Sequence, residues 1–373
     1  MFTLTNVFEG INDARVKFQP GPIGIEFSCE KVHMVQLEKS ATGDMRLRAL
    51  ATMQYESGRD EFLASHQELK RMIKSARKAG PFSGNKIVTT MQAGDLRMLP
   101  VSYGAVNGKH HAPQILKLLQ SRIEENISDY VIDYIPIRSN ANADECVALV
   151  AMAKHDKVIS YLETIRRAGL EVEAIDISPA AINRMISATH GHEYNDNVLV
   201  INFGLNSCFM TLLSGRRLLL DQELAFGQAE IIAQTSQSLD ITDSAALELI
   251  NTYGLSGTDS QSISSSGLMA SDITQTLEEV IKPKFMQLVS EINRALIYAA
   301  AETRGEPVKQ VYILGSVARW SGADVLLKKL TKIEVCFPSF EKLFGYPDGA
   351  GKATAPEIAV ATGLALRGMI NND

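Results

Sequence analysis

The chain has 373 residues with 37 basic and 43 acidic side chains, a formal net charge of -6 and an isoelectric point near 5.7. Hydrophobic residues make up 45% and charged residues 21%, the proportions of a folded protein with a real core, which excludes disorder of the whole. The acidic balance excludes a general nucleic-acid grip, which requires a concentrated basic surface. At about 150 residues per domain, the length allows two or three domains, or one fold with two lobes. Four cysteines, Cys29, Cys146, Cys208 and Cys336, are scattered without CxxC pairing. That fits a reducing compartment and excludes a disulfide scaffold and a cysteine-rich zinc site. The most apolar runs, Val147–Ala153 and Val198–Ile201, are far shorter than the roughly 20 residues that span a bilayer. The first residues, MFTLTNVFEGINDARVKF, carry charges where a signal peptide needs its apolar stretch. The expected location is the cytoplasm, with any membrane association arising through a partner.

After Pro20-Gly21-Pro22, Ile23, Ile25 and Phe27 alternate. A turn at Ser28–Lys31 leads to Val32, Met34, Val35 and Leu37, and a break at 41–44 leads to Met45, Leu47, Ala49 and Leu50. The pattern predicts three strands joined by two tight turns. A helix is predicted over Glu61–Ala79, stopped by Gly80-Pro81, whose Lys70, Arg71, Lys74, Arg77 and Lys78 read as a solvated face, the alternative being a nucleic-acid patch. Lys86–Met91 reads as a buried strand. From Leu96 the order strand, helix (113–126), strand (130–137), strand (146–153), helix (156–168), strand (170–177) describes a small α+β module.

The opening pattern then returns. Val198–Gly204 is a strand, Leu205–Ser207 a turn, Cys208–Leu213 a strand, Ser214–Arg216 a turn and Leu218–Phe226 a strand. Ile25-Glu26-Phe27-Ser28 aligns with Ile201-Asn202-Phe203-Gly204, so a β-β-β unit recurs after roughly 175 residues, each copy followed by helix. Helices are predicted at 228–239, 244–252, 271–281 and 284–301, with a Gly/Ser-rich loop over Tyr253–Gly267. Gln310–Leu314 is a short buried strand ending at Gly315. Val325–Leu330 is helical, Glu334–Phe337 a strand, and Pro356–Met369 a closing helix rich in alanine and glycine.

This order of parts resembles the actin-like ATPase fold, with the inserted module placed as in the cell-division protein FtsA. Within that group the chain resembles the PilM family of type IV pilus assembly. The residues that carry the resemblance are Gly24-Ile-Glu-Phe-Ser28, Ala168-Gly-Leu-Glu-Val172 with Ile175-Asp176, Asn202-Phe-Gly204 with Asn206-Ser207, Ile313-Leu-Gly315 with Arg319 and Gly322, and the tail Pro356–Gly368. The implied fold is α/β and two-lobed, with duplicated β-β-β-α subdomains. Residues 1–94 would be the first actin-like subdomain and 95–177 the inserted α+β module. Residues 178–373 would be the second lobe, including a helical subdomain at about 228–308.

The resemblance also implies a nucleotide cleft for ATP with Mg. Two hairpin turns meet the phosphates from opposite lobes, strand-end carboxylates organise magnesium and water, and a Gly-rich turn lies against the adenosine. The implied cofactor-binding residues are Glu26, Ser28 and Lys31 at the first turn and Asn202, Gly204, Asn206 and Ser207 at the second. Gly227 stands at the subdomain crossover, and Gly315 and Ser316 at the third turn. Several also have an ordinary reading: Gly204 and Gly315 as turn glycines, Asn206 and Ser207 as turn formers, Gly227 as a strand end, and Glu26 as a solvent-facing or lysine-paired carboxylate. Glu30 places a negative charge beside phosphate, which Lys31 is expected to offset. Asn202 stands where the family prefers Asp, and an amide replaces neither a base nor a magnesium ligand. The β-branched Val317 is expected to intrude on the adenosine. His110, His111, His190 and His192 lie in polar loops without a metal-ligand pattern, and no GxSxG, HExxH or P-loop is present.

Three functions follow. The first is a non-enzymatic adaptor of a type IV pilus or related secretion machine. It would hold the cytoplasmic N-terminal tail of a single-pass inner-membrane partner of the PilN class, in a groove between the first subdomain and the module. The resemblance to actin also allows a homo-oligomer. The second is an ATP-hydrolysing kinase or ATPase, for which Glu26 is the carboxylate in the right local context. The third is an FtsA-like division protein, which usually ends in an amphipathic membrane helix that Gly363–Asp373 is too short and weakly apolar to supply.

Overall fold

The computed structural model describes residues 17–56, 58–91, 93–104, 111–139, 145–190, 195–255, 265–338, 340 and 356–369. The leader reading of the first residues, most of the loop at 253–267, and His110 and His192 lie outside them.

Strands β1 (Phe18–Phe27), β2 (Lys31–Ser40) and β3 (Met45–Gln54) form the expected meander, and β4 (Lys86–Thr90) adds parallel to β1. Strands β9 (Asn197–Phe203), β10 (Cys208–Ser214), β11 (Arg217–Leu224), β12 (Val308–Gly315) and β13 (Glu334–Cys336) build the second copy. With β8 (Glu171–Asp176), the first sheet has the order β3-β2-β1-β4-β8 and the second the order β11-β10-β9-β12-β13. The two orders are the same, so the internal duplication extends from the meander to the parallel half.

Two boundaries fall elsewhere than the sequence pattern predicts. β8, expected in the inserted module, pairs parallel with β4. The module's sheet is therefore three-stranded, β5 (Leu96–Gly104), β7 (Glu145–Lys154) and β6 (Tyr130–Ser139), ordered β5-β7-β6 and backed by α3 (Ala112–Arg122). A parallel neighbour cannot be reached by a tight turn, and the helix α4 (His155–Arg167) makes the crossover from the module to the first sheet. The closing helix Ala359–Arg367, α10 here, packs on α5 (Ser178–His190) and also on β1 and β2 of the first lobe, so it lies between the lobes and is not confined to the second, where the chain order places it.

Two helical expectations also change. The helix over 61–79 is divided into α1 (Arg59–Ala64) and α2 (His66–Ala79) at Ser65, whose hydroxyl accepts from the Glu68 N–H and caps α2. The helices at 271–281 and 284–301 are one, α8 (Ser265–Glu302), running through Pro283. Pro283 faces solvent, while Leu277, Ile281, Phe285, Leu288 and Ile292 on either side of it enter the same core. That continuous burial holds the helix across a residue that removes one backbone bond. α6 (Gln228–Leu239) and α7 (Asp243–Tyr253) pack with it, and α9 (Ala323–Thr331) precedes β13.

Each lobe has its own core, and a further core joins them. Val35 and Leu37 of β2, Val198 and Val200 of β9, Tyr312 and Leu314 of β12, and α5 enclose α10. All residues from Ala359 to Leu366 are buried, as in a helix covered on every side. Asp176 at the end of β8 pairs with Arg184 of α5 (3.0 Å) and Arg367 of α10 (3.2 Å), and Arg184 also donates to the Gly363 carbonyl at 2.7 Å. A methyl group on Gly363 would overlap the Ala181 carbonyl oxygen of α5. Gly363→Ala is therefore expected to destabilise the protein by about 1–3 kcal/mol in denaturant unfolding. Gly58→Ala, with nothing within 4 Å of its new methyl, should shift the midpoint little.

Candidate functional site

Three turns converge where the sheets face each other: residues 28–30 between β1 and β2, residues 204–207 between β9 and β10, and the 3-10 turn Val317–Arg319 after β12. Between them lies a cavity of about 280 Å³ whose walls include Glu26, Ser28, Lys31, Asn202, Gly204, Gly315 and Ser316. The structure thus brings these expected residues together from positions far apart in the chain. Asn206, Ser207 and Gly227 stand outside this lining. Gly227 packs against the Leu205 backbone, and the first turn of α6 donates back to the hairpin: Gln228 N–H to Gly204 O (3.1 Å) and Ala229 N–H to Leu205 O (2.8 Å).

Much of the donor capacity at the turns is used internally. The Ser28 N–H donates to Lys31 O at 3.0 Å, its hydroxyl to the same oxygen at 2.8 Å, and the Gly204 N–H to Ser207 O at 2.9 Å. Ser316 ties the third turn to the second, its N–H to Phe203 O (2.9 Å) and its hydroxyl to Phe203 O (3.2 Å) and Gly204 O (3.1 Å). Gly315 has φ +77 with the Phe203 carbonyl directly against its Cα, an arrangement that excludes a side chain.

Val317 does not intrude on the cleft. It is fully buried in the second lobe's core with Ile313 and Trp320, because the 3-10 turn points it inward. The same turn brings Arg319 towards the first lobe. Arg319 donates to Glu357 Oε1 (2.9 Å), Glu30 Oε2 (3.1 Å) and Gln228 Oε1 (3.2 Å). Lys31 does not offset Glu30 as expected. Its ammonium lies 3.1 Å from Glu357, just ahead of α10, and Glu30 takes Arg319 instead. Neither Arg319 nor Glu357 stands out in sequence as a cleft residue; the available signal is an unmatched charge beside each of two turns widely separated in the chain.

The remaining lining is acidic. Asp221 and Glu223 of β11 face the cavity with Glu26 and Glu357, against Arg59 and the neutral His33. Burial pushes the His33 imidazole down to about 4. Glu26 is held up at about 8, by burial first and by the nearby Glu357 second, with a hydrogen bond from the Ala361 backbone opposing. Its Oε2 is buried without a hydrogen-bond partner. Burial likewise raises Asp221 to about 6, although Thr211 donates to its Oδ1 at 2.6 Å, and its Oδ2 is also unpartnered. Buried polar atoms are rarely left so.

The family model for the type IV pilus assembly protein PilM matches residues 24–369. The chain belongs to the PilM family. The solved structure of a PilM-PilN type IV pilus biogenesis complex is similar at TM-score 0.72 and 21% identity, covering 94% of this chain and 99% of that one. The ethanolamine utilization protein EutJ from Carboxydothermus hydrogenoformans follows at TM-score 0.51 and 11% identity, covering 93% and 89%. No curated protein sequence matches the chain. The fold is the two-lobed actin-like ATPase fold that the duplicated sheets describe, and the chain is an actin-like type IV pilus assembly protein of the PilM family.

The pH dependence of this PilM-family cleft has a definite sign. The folded pKa of Glu26, about 8, lies above its ordinary 4.5. Its favourable contribution is therefore fully present below pH 4.5 and is lost as pH rises through 8. Glu26→Gln should flatten the fall in unfolding free energy between pH 5 and 8.5. At the upper end it should exceed the parent by on the order of 1–3 kcal/mol in denaturant melts.

Proposed function

We propose that the chain is a non-enzymatic adaptor of a type IV pilus or related secretion machine. It holds the cytoplasmic N-terminal tail of a single-pass inner-membrane protein of the PilN class, and so sits in the cytoplasm at the inner membrane. The observation that carries this reading is the likeness, over nearly the full length of both chains, to a PilM structure solved with PilN. Among the described residues no helix is long and apolar enough to cross a membrane, and recruitment through a partner supplies that link. We assign the groove expected between first subdomain and module to the surface beside α4, which packs against α1 and α2 of the first subdomain and β6 and β7 of the module. Its two sides each present an exposed apolar side chain, Ile159 (54% exposed) on α4 and Val131 (41%) on the edge strand β6, the kind of surface an apolar peptide covers.

The cleft is proposed to bind ATP with magnesium without turning it over. Glu26 and Asp221, with their unpartnered oxygens, would hold the magnesium, and Lys31 and Arg319 the phosphates. Bound magnesium would screen phosphate charge from the surrounding carboxylates. Asn202 lines the cavity at the second-turn strand end and cannot take a proton from an attacking water.

A peptide copied from the cytoplasmic N-terminus of the PilN-class protein should bind saturably in calorimetry. Ile159→Asp should weaken it by about tenfold or more, and no saturation at high micromolar peptide overturns the adaptor reading. Phosphate release from ATP should stay well below about 1 per second, the lower end of kinase rates. A parent protein turning over at that rate is an enzyme.

A further inference from the structure

We propose that Arg319 is the anion receptor of the cleft and that Glu30 occupies it in the ligand-free protein, as a carboxylate competitor that a phosphoanion must displace. The inference rests on the reading that the cleft admits a nucleotide, and goes beyond it by assigning what controls entry.

Arg319 belongs to the second lobe and Glu30 to the tip of the first lobe's hairpin, so their 3.1 Å contact crosses the cleft. The two anions on Arg319 are not equivalent. Glu357 is 10% exposed and is shared with Lys31 at 3.1 Å, which fixes it from two sides. Glu30 is 29% exposed and stands on a two-strand turn beside the exposed Cys29. A more solvated carboxylate on a turn is the partner that leaves at lower cost, since water replaces much of what it loses. Arg319 would then keep Glu357 and Gln228 as its support while one edge of its planar guanidinium fork is freed, the geometry that receives a phosphate in bidentate fashion.

The space on either side agrees. Cys29, Glu30, Lys31 and Arg59 line both the 280 Å³ cavity and a second one of about 560 Å³, which reaches Arg319, Gln228, Leu247 and Asn251. Small-molecule sites occupy about 300–1,000 Å³, so the first cavity alone falls short of a nucleotide. Moving Glu30 out of the shared wall joins the two, with Arg319, Lys31 and Arg59 at the junction. A multiply charged phosphoanion reaches these cations together, whereas the single carboxylate of Glu30 satisfies one edge of one guanidinium.

The test uses the full-length protein and the variants Glu30→Gln, Arg319→Gln and the charge-exchanged Glu30→Arg/Arg319→Glu. Two readouts are taken: hydrogen exchange of the 28–31 and 204–207 turns without ligand, and calorimetric affinity for ATP with magnesium and for inorganic triphosphate. Glu30→Gln should speed exchange at both turns and tighten both ligands by roughly three- to tenfold. Arg319→Gln should speed exchange but weaken both by roughly tenfold or more. The charge exchange should return exchange to parental rates while leaving phosphoanion binding lost. If triphosphate behaves unlike ATP across the series, phosphate is not what Arg319 receives and the proposal fails. It fails equally if Glu30→Gln binds and exchanges as the parent does, or if no variant binds either ligand. The PilN-class peptide titrated into the same samples keeps the adaptor reading separate, because its groove contains none of the substituted residues.

Discussion

The insertion of α10 between the lobes is the contact on which the rest of the molecule depends. A helix can lie this close to a strand and to another helix only where its own residues and theirs are small. The chain meets that condition at Gly363 against Ala181, and at Gly24 of β1 against Ala361 and Ala365. The dense burial follows from the close approach. So does the position of everything attached to the helix. Ala361 presents its backbone to Glu26, and the segment leading into α10 delivers Glu357 to the cleft between Lys31 and Arg319. A packing decision made in the joint therefore sets the electrostatics of the site.

Those electrostatics differ from the usual picture of a phosphate cradle. The cleft holds more carboxylates than cations, and burial has driven Glu26 and Asp221 towards their protonated forms. Each keeps one buried carboxylate oxygen with no protein hydrogen-bond partner, a polar demand that the fold leaves to other groups. The interlobe ion pairs are polar demand that the protein meets by itself. With desolvation charged against each ion, such half-buried pairs act more through geometry than through net stability. They fix how the lobes face one another.

Local pattern made half of this legible. The alternation at 23–37 and its return at 198–213, with turn residues at fixed offsets, are properties of neighbouring residues, and the matching sheet orders bear out the duplication they imply. The three cleft turns were legible for the same reason. What sequence did not disclose was decided at long range. β8 reads as the last strand of the inserted module and belongs to the first sheet, because a parallel partner is chosen across a helix and not across a turn. α10 reads as part of the second lobe and packs between the two, because alanine and glycine signal close packing without naming the partner. Val317 and Arg319 share a 3-10 turn, and only the turn's rotation decides which faces the core and which the cleft. Glu30 reads as a charge misplaced beside phosphate. Its meaning appears once Arg319, 289 positions away, is seen to hold it.

An actin-like cleft that catalyses must let water be polarised against a phosphoryl group, which requires an ionised base and mobile lobes. Here the strand-end position of the second turn is an amide, Asn202, and the first-turn counterpart Glu26 is protonated near neutral pH. The lobes meanwhile are tied by Arg319 and by the shared α10. An adaptor has the opposite requirement: a fixed relation between first subdomain and module, so that the groove beside α4 keeps its shape. The helix α4 borders the proposed groove and also reaches the cleft, since its Tyr161 donates to the Thr90 carbonyl at 2.9 Å and meets Thr89 at 2.9 Å. One rigid element thus has the proposed partner surface on one side and the end of the cleft-lining strand β4 on the other.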